Sequence, residues 1–335
     1  MLIEKCDLLK TIKLVANFDT SASPYASVHF PVEGKPEFSR TSGNGFIQTK
    51  NFVPLNLTHI SIPHLQDCLK VSADTIDMSF RNGTVVLDST QNSYNNDLVV
   101  HTVKAEAAGV KDHQIGEPGR VKLDPSVFLG LNMTNFHTVS QPVLKNGRLL
   151  IPTRAGMVMW TAPASLKPIQ LYPRESFLRF ACGTVLENLM ISERGYWGAA
   201  RDGVFSFLSG HTVNTQLFDK YDTPGTEISR LNAARLIQAL HNSTILCGGD
   251  RDRVEVDYKS GIVCRDKFGN EQKFSLGASH PWPKFVMMGS SAKLLVDALS
   301  QSNEEGAVLY SIPPKLGQST TMRLVRGEFE VNFNV

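Results

Sequence analysis

Two stretches of this chain place groups that could do chemistry close together. Gly248-Gly249-Asp250-Arg251-Asp252 sets two carboxylates beside two glycines, and His280-Pro281-Trp282-Pro283 holds an imidazole on a rigid, extended segment. Neither has ligand spacing. The acidic loop lacks the alternating oxygen donors of a calcium site and reads as a charged turn, while His280 has no second ligand near it and reads as part of a linker. The other histidines stand singly, so a nucleophile and base pair cannot be picked from the sequence alone. The five cysteines, Cys6, Cys68, Cys182, Cys247 and Cys264, are odd in number and include no C-x-x-C. That usage predicts buried, reduced thiols rather than a disulfide framework or a zinc knuckle. The chain contains no G-x-x-x-x-G-K-[ST], no H-E-x-x-H and no G-x-S-x-G. The expectation is a protein that is not an enzyme and holds no metal and no cofactor.

What recurs instead is a cation on the polar side of an amphipathic helix. A helix over Ile3–Ala16 puts Leu8, Leu9, Ile12, Val15 and Ala16 on one stripe and Lys10 and Lys13 opposite. A second opens at Ser61, buries Ile62, Leu65 and Leu69, and leaves Lys70 outward. Arg174 to Cys182 turns Phe177, Leu178 and Ala181 inward and offers Arg174 and Arg179. Ser229 to Asn242 buries Ala233, Leu236, Ile237 and Leu240 and exposes Arg235, and Ser290 to Gln301 buries Leu294, Leu295, Ala298 and Leu299 and exposes Lys293. A helix at Asp124-Pro125, burying Val127, Phe128 and Leu131, carries no charge. A lone lysine on a helix is ordinarily a solvated face. Repetition on five of six helices points instead to phosphate contacts, which hold nucleic acid without reading its sequence. The formal net charge is only +2, from 34 basic and 32 acidic residues. Binding to DNA therefore requires the positive charge to be gathered on one surface.

Short alternating runs follow each helix and read as antiparallel strands. Thr75–Phe80 and Thr84–Asp88 form a hairpin around Arg81-Asn82-Gly83, and Lys145-Asn146-Gly147 turns another, because Asn-Gly supplies the positive φ of a tight turn. The six helix starts are spaced 50 to 62 residues apart. Such a repeat suggests a duplicated unit of one helix and several strands, two units making a domain and six making three. The fold class is α+β. No apolar run reaches the ~18 residues that cross a bilayer, and the N-terminus carries acids where a signal peptide would be apolar. A cytoplasmic protein without membrane contact is expected.

The opening helix IEKCDLLKTIKLVANF, the passages LVVHTVKAEAAGVKDHQIGEPGRVKLDPSVF and VNTQLFDKYDTP, and the step FVMMGSSAKLLVDALSQ resemble, in kind and order, those of the bacterial-type DNA sliding clamp, the β subunit of DNA polymerase III. The resemblance is one of pattern over nearly the whole chain. FEVNFNV stands where that family usually ends in a peptide with methionine, proline and arginine, and the divergence fits a viral or plasmid-borne member. The resemblance implies three similar clamp domains, residues 1–118, 119–224 and 225–335, each holding two helices on antiparallel sheets, and two chains closing into a ring. It implies a processivity factor that encircles double-stranded DNA, tethers a DNA polymerase and other replication proteins, and is placed on DNA by a clamp-loader ATPase. Lys10, Lys13, Lys70, Arg174, Arg179, Arg235 and Lys293 would then face the duplex. Val158, Pro224, Val331 and Phe333 would line a cleft for a partner's apolar peptide. Two other classes fit the strands: a β-rich viral structural or assembly protein, and an enzyme whose site no motif reveals. The first has no reason to repeat amphipathic helices with basic outer faces.

Overall fold

The computed structural model describes residues 2–16, 18, 24–31, 35–42, 45–52, 58–82, 84–91, 94–104, 121–167, 169–192, 194–214, 218, 221, 223–247, 252–257, 261–265, 268–275, 284–313 and 320–335. Most of Gly248–Asp252 and all of His280–Pro283 lie outside these. The described chain is α+β with antiparallel sheets and five α-helices, one fewer than the sequence predicts. It forms two compact units, one of residues 1–129 and 176–209, the other of 130–175 and 210–335.

The first unit is built on a twelve-stranded sheet. Helix α1, Lys5–Ala16, buries Leu8, Ile12, Leu14 and Val15; Leu9, expected inside, is exposed, and Leu14 takes its place. The buried Arg40 guanidinium closes the end of α1, donating to the carbonyls of Val15 at 3.3 Å and Phe18 at 3.2 Å. Helix α2, Ile62–Val71, starts at Ser61, whose hydroxyl accepts from the His64 amide at 3.4 Å, with proline in the first turn. Helix α3, Glu175–Gly183, seats Phe177 against Tyr196 with ring centroids 4.1 Å apart and against the edge of Phe128 at 5.7 Å. Thr75–Arg81 pairs with Thr84–Gln91, and Asn82 has φ 50°, as the hairpin requires. The stretch after Asp124 is a run of turns and not a helix. The Asp124 carboxylate accepts from both the amide and the hydroxyl of Ser126, a local bond that competes with helical continuation, although Val127, Phe128 and Leu131 are buried as expected. The sheet runs on from Gly45–Thr49 to Gly203–Leu208. Gly45 permits that approach, since a Cβ there would lie 2.1 Å from the Ser206 carbonyl oxygen.

The second unit holds a seven-stranded and a four-stranded sheet. The Val143–Lys145 and Arg148–Thr153 hairpin turns through Asn146 and Gly147, at φ 54° and 72°. Gly156–Thr161 pairs with Phe329–Asn334, strands far apart in sequence. Gly156 makes room there, a Cβ falling 2.3 Å from the Asn332 carbonyl oxygen. Helix α4 is Ala233–Leu246, four residues later than the sequence suggests. Ser229 to Asn232 belong instead to the strand Thr226–Asn232, paired with Gly306–Ile312, and Asn232 caps α4 by accepting from the Arg235 amide at 3.0 Å. Helix α5, Gly289–Leu299, packs against α4 and buries Leu294, Leu295, Ala298 and Leu299. Among the described residues no helix is long and apolar enough to cross a membrane.

Candidate nucleic-acid interface

The helices present the expected cations with unequal freedom. On α1, Lys10 and Lys13 are both exposed, but Lys10 is tied to Asp7 at 3.2 Å. Asp7 also binds Lys35, and these two ammonium groups, Lys35 first, hold its carboxyl below the usual range. On α2, Lys70 is exposed and paired with Asp67 at 2.7 Å, which lowers the Asp67 carboxyl in the same way. α1 and α2 pack together and share a groove whose lining includes Lys5, Leu9, Gln66, Asp67 and Lys70. Arg174 lies just before α3 and Arg179 within it, and both are half-buried and engaged by neighbours.

Arg235 on α4 and Lys293 on α5 are exposed on adjacent helices. With Lys13, they form no ion pair among the described residues. Gln238 and Asn242 extend the polar side of α4, the first donating its amide to the second at 2.9 Å. One turn beyond Lys293, Asp297 is half-buried and accepts from the Asn135 amide at 3.1 Å. Burial pushes its carboxyl up, against the pull of Lys293, Asn135 and His241. Loop and helix are clasped there: the Gln301 side chain accepts from the Asn132 amide at 2.8 Å and donates to its carbonyl at 3.1 Å.

The residues assigned to the peptide cleft fall elsewhere. Val158 and Val331 oppose each other across one ladder, each 0% exposed, and Phe333 is 2% exposed with its ring 6.2 Å from that of Phe285. These three are core side chains and present no surface to a peptide here; Pro224 is exposed. The reason is that the Phe329–Asn334 strand is covered on both faces. On its other face Glu330 and Asn332 are also buried. Arg323 donates to the Asn332 side chain at 3.0 Å and to the carbonyls of Thr223, at 3.2 Å, and Tyr221; Arg148 pairs with Glu330 at 3.1 Å. The alternating polar residues of FEVNFN are the signal that could have revealed this network.

None of the five cysteines is in a disulfide. Cys68, Cys247 and Cys264 are buried, Cys182 is half-buried with its thiol pushed up to about 12 by burial, and Cys6, against expectation, is exposed. No cluster of three histidine, cysteine or acidic side chains fit for a metal occurs among the described residues. A surface of exposed lysines, arginine and side-chain amides is suited to holding an anion.

No protein-family model and no curated protein sequence matches this chain. Solved structures do. A DNA polymerase III β chain from Streptococcus pneumoniae superposes with a TM-score of 0.66 at 11% identity, covering 99% of this chain and 98% of that one. The chain has the sliding-clamp fold. The β subunit of DNA polymerase from Streptococcus pyogenes gives a TM-score of 0.66 at 11% identity over 100% of this chain and 99% of the other. The DNA polymerase III β subunit of Pseudomonas aeruginosa gives 0.65 at 11%, over 100% and 98%. At such identity the likeness is one of architecture, and it extends end to end on both sides.

Proposed function

We propose that this protein is a DNA sliding clamp, a processivity factor that encircles duplex DNA and tethers a DNA polymerase and other replication proteins. The observation that carries the reading is the end-to-end match to clamps, covering 99 to 100% of this chain and 98 to 99% of theirs. The division into clamp domains 1–118, 119–224 and 225–335 belongs to this reading, as do the clamp-loader ATPase, the homodimer and a cytoplasmic, non-enzymatic role.

Charge supports it. Lys13 and Arg235 are exposed and form no ion pair among the described residues, while the chain as a whole is nearly neutral. Fixed adhesion to DNA would require many phosphate contacts, because salt screens exposed charges beyond ~10 Å. Encirclement removes that requirement.

Assembly of two chains has a candidate surface in the second unit. The strand Glu271–Phe274 is the edge of its sheet, and Ile245 and Leu246 at the end of α4 are 71% and 41% exposed. An edge strand's unpaired amides and carbonyls find partners when a second sheet joins them, and the two apolar side chains would be covered in the process.

The test is topological. Protein loaded by a clamp-loader ATPase onto nicked circular DNA should stay bound in moderate salt and run off when the circle is cut. Equal retention on circles and on linear DNA with free ends would defeat encirclement, and a stable monomer at micromolar concentration would defeat the ring.

A further inference from the structure

The twelve-stranded sheet of the first unit has two faces of different character. On one, α3 packs, with Phe177 stacked on Tyr196 and Phe180 4.9 Å from Phe205. The residues that alternate with these turn to the opposite face, and register sets them in one row: Lys122 beside Met190, Met190 beside Trp197, Trp197 beside Ser206, and Ser206 beside Phe46. Met190, Trp197 and Phe46 are half-buried, as is Val204 two residues from Ser206, so solvent reaches each of them. Ser206 is different. It is 4% exposed, flanked on neighbouring strands by the two aromatic residues, and its hydroxyl has no hydrogen-bond partner among the described residues. A buried hydroxyl is ordinarily satisfied, and one left unbonded costs stability. Lys122, at the end of the row, is exposed and forms no ion pair among the described residues. The ladder between Gly156–Thr161 and Phe329–Asn334, by contrast, is covered on both faces by buried side chains.

We propose that this row docks an extended segment of a partner protein, with an apolar or aromatic side chain seated over Trp197 and Phe46 and a carboxylate reaching Lys122. The inference rests on the sliding-clamp reading, which calls for tethered partners, and gives them a surface on the first unit. From Lys122 to Phe46 the row crosses four strand spacings, roughly 19 Å, which an extended segment of about six residues spans when it lies across the strands. Apolar area and aromatic rings supply the anchor, and the flexible Met190 side chain adapts to its shape. When the Trp197 and Phe46 rings part around that anchor, the Ser206 hydroxyl meets the backbone of the segment and gains the partner it lacks. The charge fixes the sign of the ligand: one unpaired lysine beside an apolar row suits a single carboxylate, whereas a nucleic-acid backbone needs cations at several positions.

The experiment selects binders of the full-length protein from a random octapeptide library displayed on phage, then measures the recovered peptides, fluorescently labelled, against variants by anisotropy. Recovered peptides should pair an aromatic or branched apolar residue with an acid. Trp197→Ala and Phe46→Ala should each weaken them by roughly tenfold or more, as loss of an anchor does. Lys122→Glu, at an exposed position where the fold is not at stake, should weaken them most at low salt and less as salt rises. Ser206→Ala should raise the thermal midpoint, because it removes an unbonded buried hydroxyl, and should still weaken the peptide. Failure to recover any peptide, or peptides held equally by the wild type, Lys122→Glu and Trp197→Ala, overturns the docking surface. A change of oligomeric state in Trp197→Ala with peptide affinity unaltered also overturns it and assigns the face to contact between copies of the chain. The clamp reading is judged apart, by retention of the wild type on nicked circular DNA. Peptide affinity is measured without DNA, so a failed docking surface and a failed clamp give different results.

Discussion

Arg323→Met should destabilise the second unit by roughly 3 to 5 kcal/mol, the cost of removing one partner from a buried charged network. Arg323 is buried, as are Glu330 and Asn332, and its guanidinium serves four acceptors. Methionine fills a similar volume, so the loss isolates hydrogen bonding and charge from packing. The Asn332 side-chain oxygen Oδ1 then sits in the core without its 3.0 Å donor, which costs about 1 to 3 kcal/mol by itself. Glu330 retains Arg148 at 3.1 Å, and the carbonyls of Tyr221 and Thr223 belong to half-buried residues that water can reach. The lower end of the range is therefore expected. Urea unfolding should show a reduced midpoint with an unchanged slope, since the exposed surface is the same. Arg323→Lys, which keeps the charge and loses the fork, should fall between the two. A loss below about 1 kcal/mol would refute the account and leave the segment before Pro224 held by other means.

Asp297→Asn should match the wild type in acid and exceed it in stability as pH rises. Burial raises the folded carboxyl above its unfolded value, so the wild type's stabilisation by protonation is complete below the unfolded value and disappears as pH climbs through the folded one; thermal midpoints that differ equally at all pH would contradict this. Thiol labelling of the native protein should show one fast cysteine, Cys6, with Cys68, Cys247 and Cys264 protected by burial and Cys182 by a thiol at about 12. Fast release of a second equivalent would locate an opening. Reversal of Lys13 and Arg235 to glutamate should impair loading on circular DNA by roughly tenfold, more than reversal of Lys10 and Lys70, which Asp7 and Asp67 hold at 3.2 and 2.7 Å. Equal effects of the two sets would show that ion pairing does not sort these residues.

Much of the architecture is legible in the residues themselves. Asn82 and Asn146-Gly147 announce their turns because few other residues accept positive φ, and the buried stripes of α2, α3 and α5 follow from helical spacing. The start of α4 is not legible that way. Ser229 to Asn232 satisfy a helical pattern, and only their pairing with the distant strand Gly306–Ile312 makes them strand. Asp124-Pro125 has the composition of a helix start, and the bonds from Ser126 turn it elsewhere. The cations are visible in sequence, but their pairing is tertiary in part, as with Lys35 reaching Asp7. Val158, Val331 and Phe333 resemble cleft residues only until the register of the Phe329–Asn334 strand covers both of its faces.

The glycines at 45 and 156 have a consequence for any attempt to take the molecule apart. Each sits where a ladder joins stretches distant in sequence: residues 45–49 with 203–207, and 157–160 with 329–332. A fragment ending near residue 118 would carry Gly45–Thr49 as a bare edge with Ile47 beside it, and one beginning near residue 225 would do the same with Phe329–Asn334. Separately expressed pieces should stick to themselves, and mixing complementary pieces should rescue solubility, because each supplies the strand that the other lacks.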